Sequence, residues 1–179
     1  MVCFYGYLYH WTVFFEEITA NVIHTCSVTE QRYRDMLRDF VIPRLQQRRC
    51  LQDFIFIQDG ALPHINRRVK HLLRQHFTDA RVISGHFPTA WPPRSPDITP
   101  SDFCLWGFLK DNIYRKRPAS LPDLKNRIRR HVLDIAADSF RSAVENMVLR
   151  IEHIVEHKGG HVEQFKCYFF ILFNTHKAY

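Results

Sequence analysis

The chain has 179 residues, 25 Lys and Arg against 18 Asp and Glu, and a formal charge of +7. At that length one domain is the expectation. With 46% hydrophobic, 14% aromatic and only 24% charged residues, there is enough apolar surface for a core, which excludes wholesale disorder. No uncharged apolar run reaches the roughly 18 residues of a membrane-spanning helix. Cys3, Cys26, Cys50, Cys104 and Cys167 are odd in number and include no CxxC pair, so neither a zinc site nor a disulfide framework is expected and a reducing compartment fits.

Residues 1–15 are rich in aromatic and β-branched side chains and predict two strands joined near residues 9–11. They lack the basic start and the small-residue cleavage site of a signal peptide. Residues 29–42 place Tyr33, Met36, Leu37, Phe40 and Val41 on one helical face, with Thr29 as N-cap and Pro43 beyond the end. The continuous apolar run at residues 54–57 predicts a strand buried on both faces of a sheet.

From residue 64 to 77, Ile65, Val69, Leu72, Leu73 and His76 trace one helical face, while Arg67, Arg68, Lys70 and Arg74 populate the other. A short strand at residues 81–84 then completes a β-α-β unit, whose crossover joins parallel neighbours. Five prolines make residues 85–100 a defined loop rather than a helix. Thr99-Pro-Ser-Asp102 reads as the start of an aromatic helix to Tyr114. Two further helices follow. Residues 120–135 turn Leu121, Leu124, Ile128, Val132 and Ile135 inward; residues 138–157 turn Phe140, Val144, Met147, Val148, Ile151, Ile154 and Val155 inward, and Lys158-Gly159-Gly160 ends the second. The apolar stretch 167–173 suits a strand or an appended tail better than an anchor.

Two acids occupy positions where carboxylates do chemistry: Asp59 at the C-terminal end of a strand, where open sheets gather ligands, and Asp102 in the first turn of a helix. Carboxylates converging there would suit Mg²⁺, which takes oxygen ligands, and two such ions can hold both oxygens of a phosphodiester displacement. The simpler readings are that an Asp before Gly makes a turn and an Asp in a first helical turn caps. Asp97 is a rival to Asp102, and His64 stands within reach of a phosphate or a metal-bound water, or packs as an ordinary histidine. The charge is also uneven. Lys110, Arg115, Lys116, Arg117, Lys125, Arg127, Arg129 and Arg130 face only Asp111 and Asp123 in their segment. That is either a solvated face or a polyanion surface.

Ile57-Gln-Asp59-Gly-Ala-Leu-Pro-His64, Ala90-Trp-Pro-Pro-Arg-Ser-Pro-Asp-Ile-Thr-Pro-Ser-Asp102-Phe-Cys-Leu-Trp-Gly107, Leu109-Lys-Asp and Tyr114 closely resemble the catalytic domain of mariner-like transposases. Weaker similarity runs through Phe14-Phe-Glu16, Arg32-Tyr-Arg-Asp-Met-Leu-Arg-Asp-Phe-Val-Ile-Pro43 and Gly159-Gly-His161, covering residues 2–165 as one partial catalytic domain and leaving 166–179 as an unassigned tail. The resemblance implies a ribonuclease-H-like α/β fold, a mixed sheet flanked by helices, in a nuclear protein that cuts and rejoins DNA with three carboxylates and two Mg²⁺ (or Mn²⁺) ions. Matched by motif, Asp59 is the second carboxylate and Asp102 the third, expected to meet at a shared ion.

The family's first carboxylate sits on the fold's first strand, upstream of the matched stretch, and Glu16 and Glu17 have nothing in their position to recommend them as substitutes. The Gly-Pro turn usual before Phe-Phe-Glu is replaced by Tyr9-His-Trp-Thr12. The expectation is therefore a fragment or degenerate copy, with weak Mg²⁺ affinity and no efficient cleavage. Its DNA contacts would come from His64, Arg67, Arg68, Lys70, Arg94, Lys110, Arg115, Lys116, Arg117, Arg127, Arg129 and Arg130. The alternatives are a non-catalytic, nonspecific DNA binder or a self-associating module such as a homodimer. No membrane and no small-molecule cofactor is expected as a partner.

Overall fold

The computed structural model describes residues 3–4, 13–19, 22–92, 98–99, 101–135 and 137–159. It is a mixed α/β chain, mostly helical, with two small sheets. Two compact units divide it, Met1–Arg94 and Ser95–Tyr179, within the proline-rich segment.

In the first unit, the apolar run around Phe54 forms strand β4 (Phe56–Ile57), which pairs in parallel with β5 (Val82–Ile83), Phe56 opposite Val82. Helix α3 (Arg67–His76) lies between them in the chain, so the β-α-β unit expected from the sequence is present. Strand β1 (Cys3–Phe4) adds antiparallel to β4, giving the order β1-β4-β5. Burial along β4 alternates: Phe54 and Phe56 are fully buried while Ile55 and Ile57 are half-buried, so the run is not enclosed on both faces as expected. Phe54, Phe56 and Val82 join Val69, Leu73 and Phe77 and the face of the preceding helices, Tyr33, Leu37, Val41, Ile42 and Leu45, in one core. Each such large apolar side chain contributes about 1.5–3 kcal/mol when fully buried.

The helix expected at residues 29–42 begins as α1 (Glu30–Met36), with the Thr29 hydroxyl accepting from the Arg32 N–H. It does not stop at Pro43. A π-helical turn, Leu37–Val41, leads into α2 (Ile42–Gln47), which carries the proline in its first turn. Proline lacks an N–H and crowds the carbonyl four residues back. The wider turn answers both: the Ile42 N–H reaches back five residues to the Leu37 carbonyl, so the ladder has already shifted register where the proline enters.

The expected hairpin in residues 1–15 has its turn outside the described residues. A different hairpin is present, β2 (Glu16–Thr19) with β3 (Val22–Thr25), Glu16 opposite Thr25 and Thr19 opposite Val22.

In the second unit, a π-helical turn (Ser101–Leu105) opens α4 (Trp106–Tyr114), followed by α5 (Leu121–Leu133) and α6 (Ala137–Glu156). Ser120 caps α5 by accepting from the Asp123 N–H at 3.3 Å, and the Asp123 carboxylate reaches back to the Ala119 N–H at 2.9 Å, a reciprocal cap. Leu109, Ile113, Val132, Ile135, Ala143 and Met147 are buried. Other residues expected inward are not: Leu121, Val148 and Ile151 are exposed, and Val155 is 72% exposed. Helical period picks out the apolar stripe, but among the described residues nothing covers the outer part of it. Helix α6 ends as expected, with the Gly159 N–H bonded to the Ile154 carbonyl at 2.8 Å and positive φ at Lys158 and Gly159.

Candidate functional site

Asp59 follows β4 by two residues, and its Oδ1 accepts two hydrogen bonds: from the Ala61 N–H at 3.0 Å and from His64 Nδ1 at 2.5 Å. The first is an Asx turn, the structural role an Asp before Gly commonly has. The second fixes the histidine tautomer, since an ionised carboxylate only accepts and Nδ1 must carry the proton. Burial holds the His64 pKa below its ordinary value, with Asp59 pulling the other way. His64 is packed against the Tyr33 ring, centroids 4.3 Å apart.

Beneath this pair lies a buried polar hub. Gln58 takes the Tyr33 hydroxyl on Oε1 at 2.9 Å and donates from Nε2 to Ser84 Oγ at 2.8 Å and to the His64 carbonyl at 3.0 Å. The Gln58 N–H bonds to the Ile83 carbonyl, continuing the β4-β5 ladder. One side chain thus ties α1, the end of β5 and the 58–64 loop together. Burial and the nearby Asp59 charge raise the Tyr33 pKa far above a phenol's ordinary value, so its hydroxyl stays a donor.

Asp59 fits Mg²⁺ as a single ligand. Its side chain is 53% exposed and, among the described residues, Oδ2 takes no hydrogen bond, which leaves one carboxylate oxygen for a hard cation. Among the described residues, no third His, Cys, Asp or Glu joins Asp59 and His64 in a cluster of ligand atoms. Asp102 belongs to the second unit, exposed in the π-helical turn with its N–H bonded to the Thr99 carbonyl at 2.9 Å. Asp97 and Arg94 lie outside the described residues. Glu17 is ion-paired with Arg32.

The 58–66 loop runs directly into α3, capped by Asn66, whose Oδ1 accepts from the Arg68 N–H at 2.9 Å. The outer face of α3 and the start of α1 line an open groove of about 1020 Å³. Arg34, Arg67, Arg68, Lys70, His71 and Arg74 border it against a single acid, Glu30. These cations are unequally committed. Arg74 is held by Asp79 through two bonds of 2.8 and 2.5 Å, and Lys70 donates to the His86 carbonyl. Arg68 stands 3.8 Å from Glu30, which also accepts from Asn66 at 2.7 Å. Arg67 is exposed and has no partner among the described residues. Arg67, Arg68 and Lys70 were legible as a basic helical face; Arg34 and His71 were not, because their place depends on how α1 and α3 pack.

The basic residues of the second unit also divide. Lys110, Lys116, Arg117 and Arg130 are exposed, as is Arg129, which reaches Asn126 at 3.5 Å. Arg115 pairs with Asp111 one turn away at 2.6 Å. Arg127 bonds Asp123 and the Lys116 carbonyl, so its charge is spent holding the 116–120 turn onto α5. Lys125 is buried. No helix among the described residues is long and apolar enough to cross a membrane. No protein-family model matches the chain, and no curated protein matches its sequence.

Proposed function

We propose that this chain binds DNA as part, or as a degenerate copy, of the catalytic domain of a mariner-like transposase, acting in the nucleus, with the β4-α3-β5 unit belonging to a ribonuclease-H-like sheet. The observation that carries this reading is the open groove on α3, which among the described residues carries five Arg and Lys side chains against one acid along its walls. Phosphate contacts of this kind give affinity without much sequence preference, and the affinity falls steeply with salt. The exposed cations Lys110, Lys116, Arg117, Arg129 and Arg130 are further phosphate-binding candidates within the second unit.

On this reading Asp59, in the first unit, and Asp102, in the second, are each candidate ligands for Mg²⁺ or Mn²⁺, an ion that would supply Lewis-acid activation of a phosphodiester. His64 holds the Asp59 carboxyl in one orientation, and the Gln58 hub holds the His64 backbone. With Oδ1 of Asp59 already engaged twice, that carboxylate is a weak ligand for a hard cation, so binding rather than cleavage is the activity favoured.

The test is fluorescence anisotropy with a labelled duplex between about 50 and 200 mM salt, the range over which phosphate-driven binding collapses. The expected result is a steep negative slope of log affinity on log salt. Arg67→Ala should flatten it by about 0.9, one phosphate contact, whereas Arg74→Ala, whose charge is neutralised by Asp79, should change it less. Binding without salt dependence, or a slope indifferent to Arg67, would overturn the reading. Strand cleavage in Mg²⁺ or Mn²⁺ that Asp59→Ala abolishes would instead assign the full catalytic activity.

A second reading, self-association, is favoured by the exposed Val148, Leu149, Ile151 and Val155 on α6. Light scattering at several concentrations tests it, a constant monomer mass being the negative result.

A further inference from the structure

His153 and His157 stand one turn apart at the end of α6, with Glu156 between them, and the ligand atoms of all three lie within 4.8 Å of one another. Residues four apart share a helix face, which is how paired histidines on one helix come to bind a single metal ion. We propose that His153, Glu156 and His157 form a surface site for a borderline divalent transition cation, for which Zn²⁺ is the test ion. This site is independent of the Asp59 chemistry and of DNA binding.

Three further observations support it. The His157 ring is already oriented: Nδ1 lies 2.9 Å from the His153 backbone carbonyl. A carbonyl only accepts, so Nδ1 carries the proton and the lone pair sits on Nε2, the atom left to coordinate. This is the backbone bond that commonly sets the tautomer of a metal-binding histidine. The two rings also lie close, centroids 3.8 Å apart and 36° between planes, so neither must swing far to face a shared ion. Finally, His153 and Glu156 lie in the last turn of a 20-residue helix and His157 directly follows it, where the macrodipole presents partial negative charge to a cation.

The donor set chooses the metal. Two imidazoles and one carboxylate suit Zn²⁺, Ni²⁺ or Cu²⁺, whereas Mg²⁺ wants oxygen ligands and holds its water tightly. Tetrahedral Zn²⁺ with ligands at about 2.0–2.1 Å needs donors about 3.3 Å apart. Closing from 4.8 Å asks only for small side-chain rotations, and His153 is half-buried while the other two are exposed. Water would complete the coordination. The ion would then clip the final turn of α6, binding and helix-end order being coupled because His157 must keep its backbone bond to the His153 carbonyl to share it.

Isothermal titration of Zn²⁺ into the tag-free full chain tests this, with His153→Ala and His157→Ala beside Glu145→Gln, an exposed acid of the same helix outside the cluster. The expected result is one site that each His variant weakens by at least the about ten- to hundredfold that losing even an outer metal partner costs. Glu145→Gln should bind as the parent does. Saturating Zn²⁺ should also slow amide exchange at residues 153–157 in the parent but not in the His variants, and excess Mg²⁺ should not compete. Zn²⁺ binding of equal strength in parent and His variants, or no binding at all, would overturn the proposal. So would loss of binding in Glu145→Gln.

Discussion

Gln58 is 6% exposed and makes three side-chain hydrogen bonds, which makes it the most informative place to perturb the first unit. Tyr33→Phe removes the one donor to Gln58 Oε1 and leaves that oxygen buried without a partner, which should cost about 1–3 kcal/mol. Gln58→Leu keeps roughly the volume but strands the Tyr33 hydroxyl, the Ser84 hydroxyl and the His64 carbonyl. At about 1 kcal/mol per lost bond it should cost about 3 kcal/mol. In the Gln58→Leu background, however, Tyr33→Phe removes an already orphaned hydroxyl and should cost nothing or restore stability. The double-mutant cycle therefore closes with a coupling at least as large as the Tyr33→Phe cost in the parent, about 1–3 kcal/mol. Because the chain has two units, the readout should be local: amide exchange at Gln58, whose N–H bonds the Ile83 carbonyl in the β4-β5 ladder. Substitution energies that add to within about 0.3–0.5 kcal/mol would refute the hub.

Two other outcomes follow from the packing and the caps. A Cβ at Gly85 would lie 3.0 Å from Ile65 Cγ2, so in Gly85→Ala the Ile65 side chain must give way by a few tenths of an ångström, and Ile65→Ala should make Gly85→Ala more favourable in a double variant measured by the same exchange. If Gly85→Ala has the same effect in both backgrounds, the contact is not the cause. The Arg127 guanidinium, and after it the Ala119 N–H, hold the Asp123 carboxyl below the ordinary carboxylate pKa of 3.8. A depressed acid gives its stabilisation in full above the unfolded value and loses it as pH falls through the folded one. The start of α5 should therefore fray below about pH 4, seen as lost exchange protection at residues 121–125. In Asp123→Asn that acid-dependent step should vanish, and its persistence would assign it to another group.

What the sequence showed best was local and periodic. The apolar run before Asp59, the inward face of α3 and the Thr29 cap all rest on spacing within a few residues, and spacing is what a chain displays. The shifted ladder ahead of Pro43 rests instead on a backbone register that no side-chain period reports, so the spacing ends the helix where the backbone continues it. The outer stripe of α6 is a converse case. Val148, Ile151 and Val155 sit at core-like intervals, but period tells which side of a helix is apolar, not whether anything covers it. Gln58 was invisible for a third reason. Its partners lie 25 and 26 residues away, and a glutamine after four apolar residues reads as the end of a strand rather than as its anchor.

Asp59 shows how the plain and the chemical readings of one residue coexist. The Asx turn and the His64 bond both use Oδ1, so local structure is satisfied on one side of the carboxylate while Oδ2 stays available. A cation approaching Oδ2 would not have to break the turn; it would find a carboxylate whose rotation is already restricted, so less side-chain freedom is lost on binding. The same economy sets the limit. With Oδ1 committed, Asp59 offers one oxygen and cannot chelate alone, so the proposed binding through α3 and the proposed metal chemistry through Asp59 are separable. Arg67→Ala and Asp59→Ala should affect different measurements.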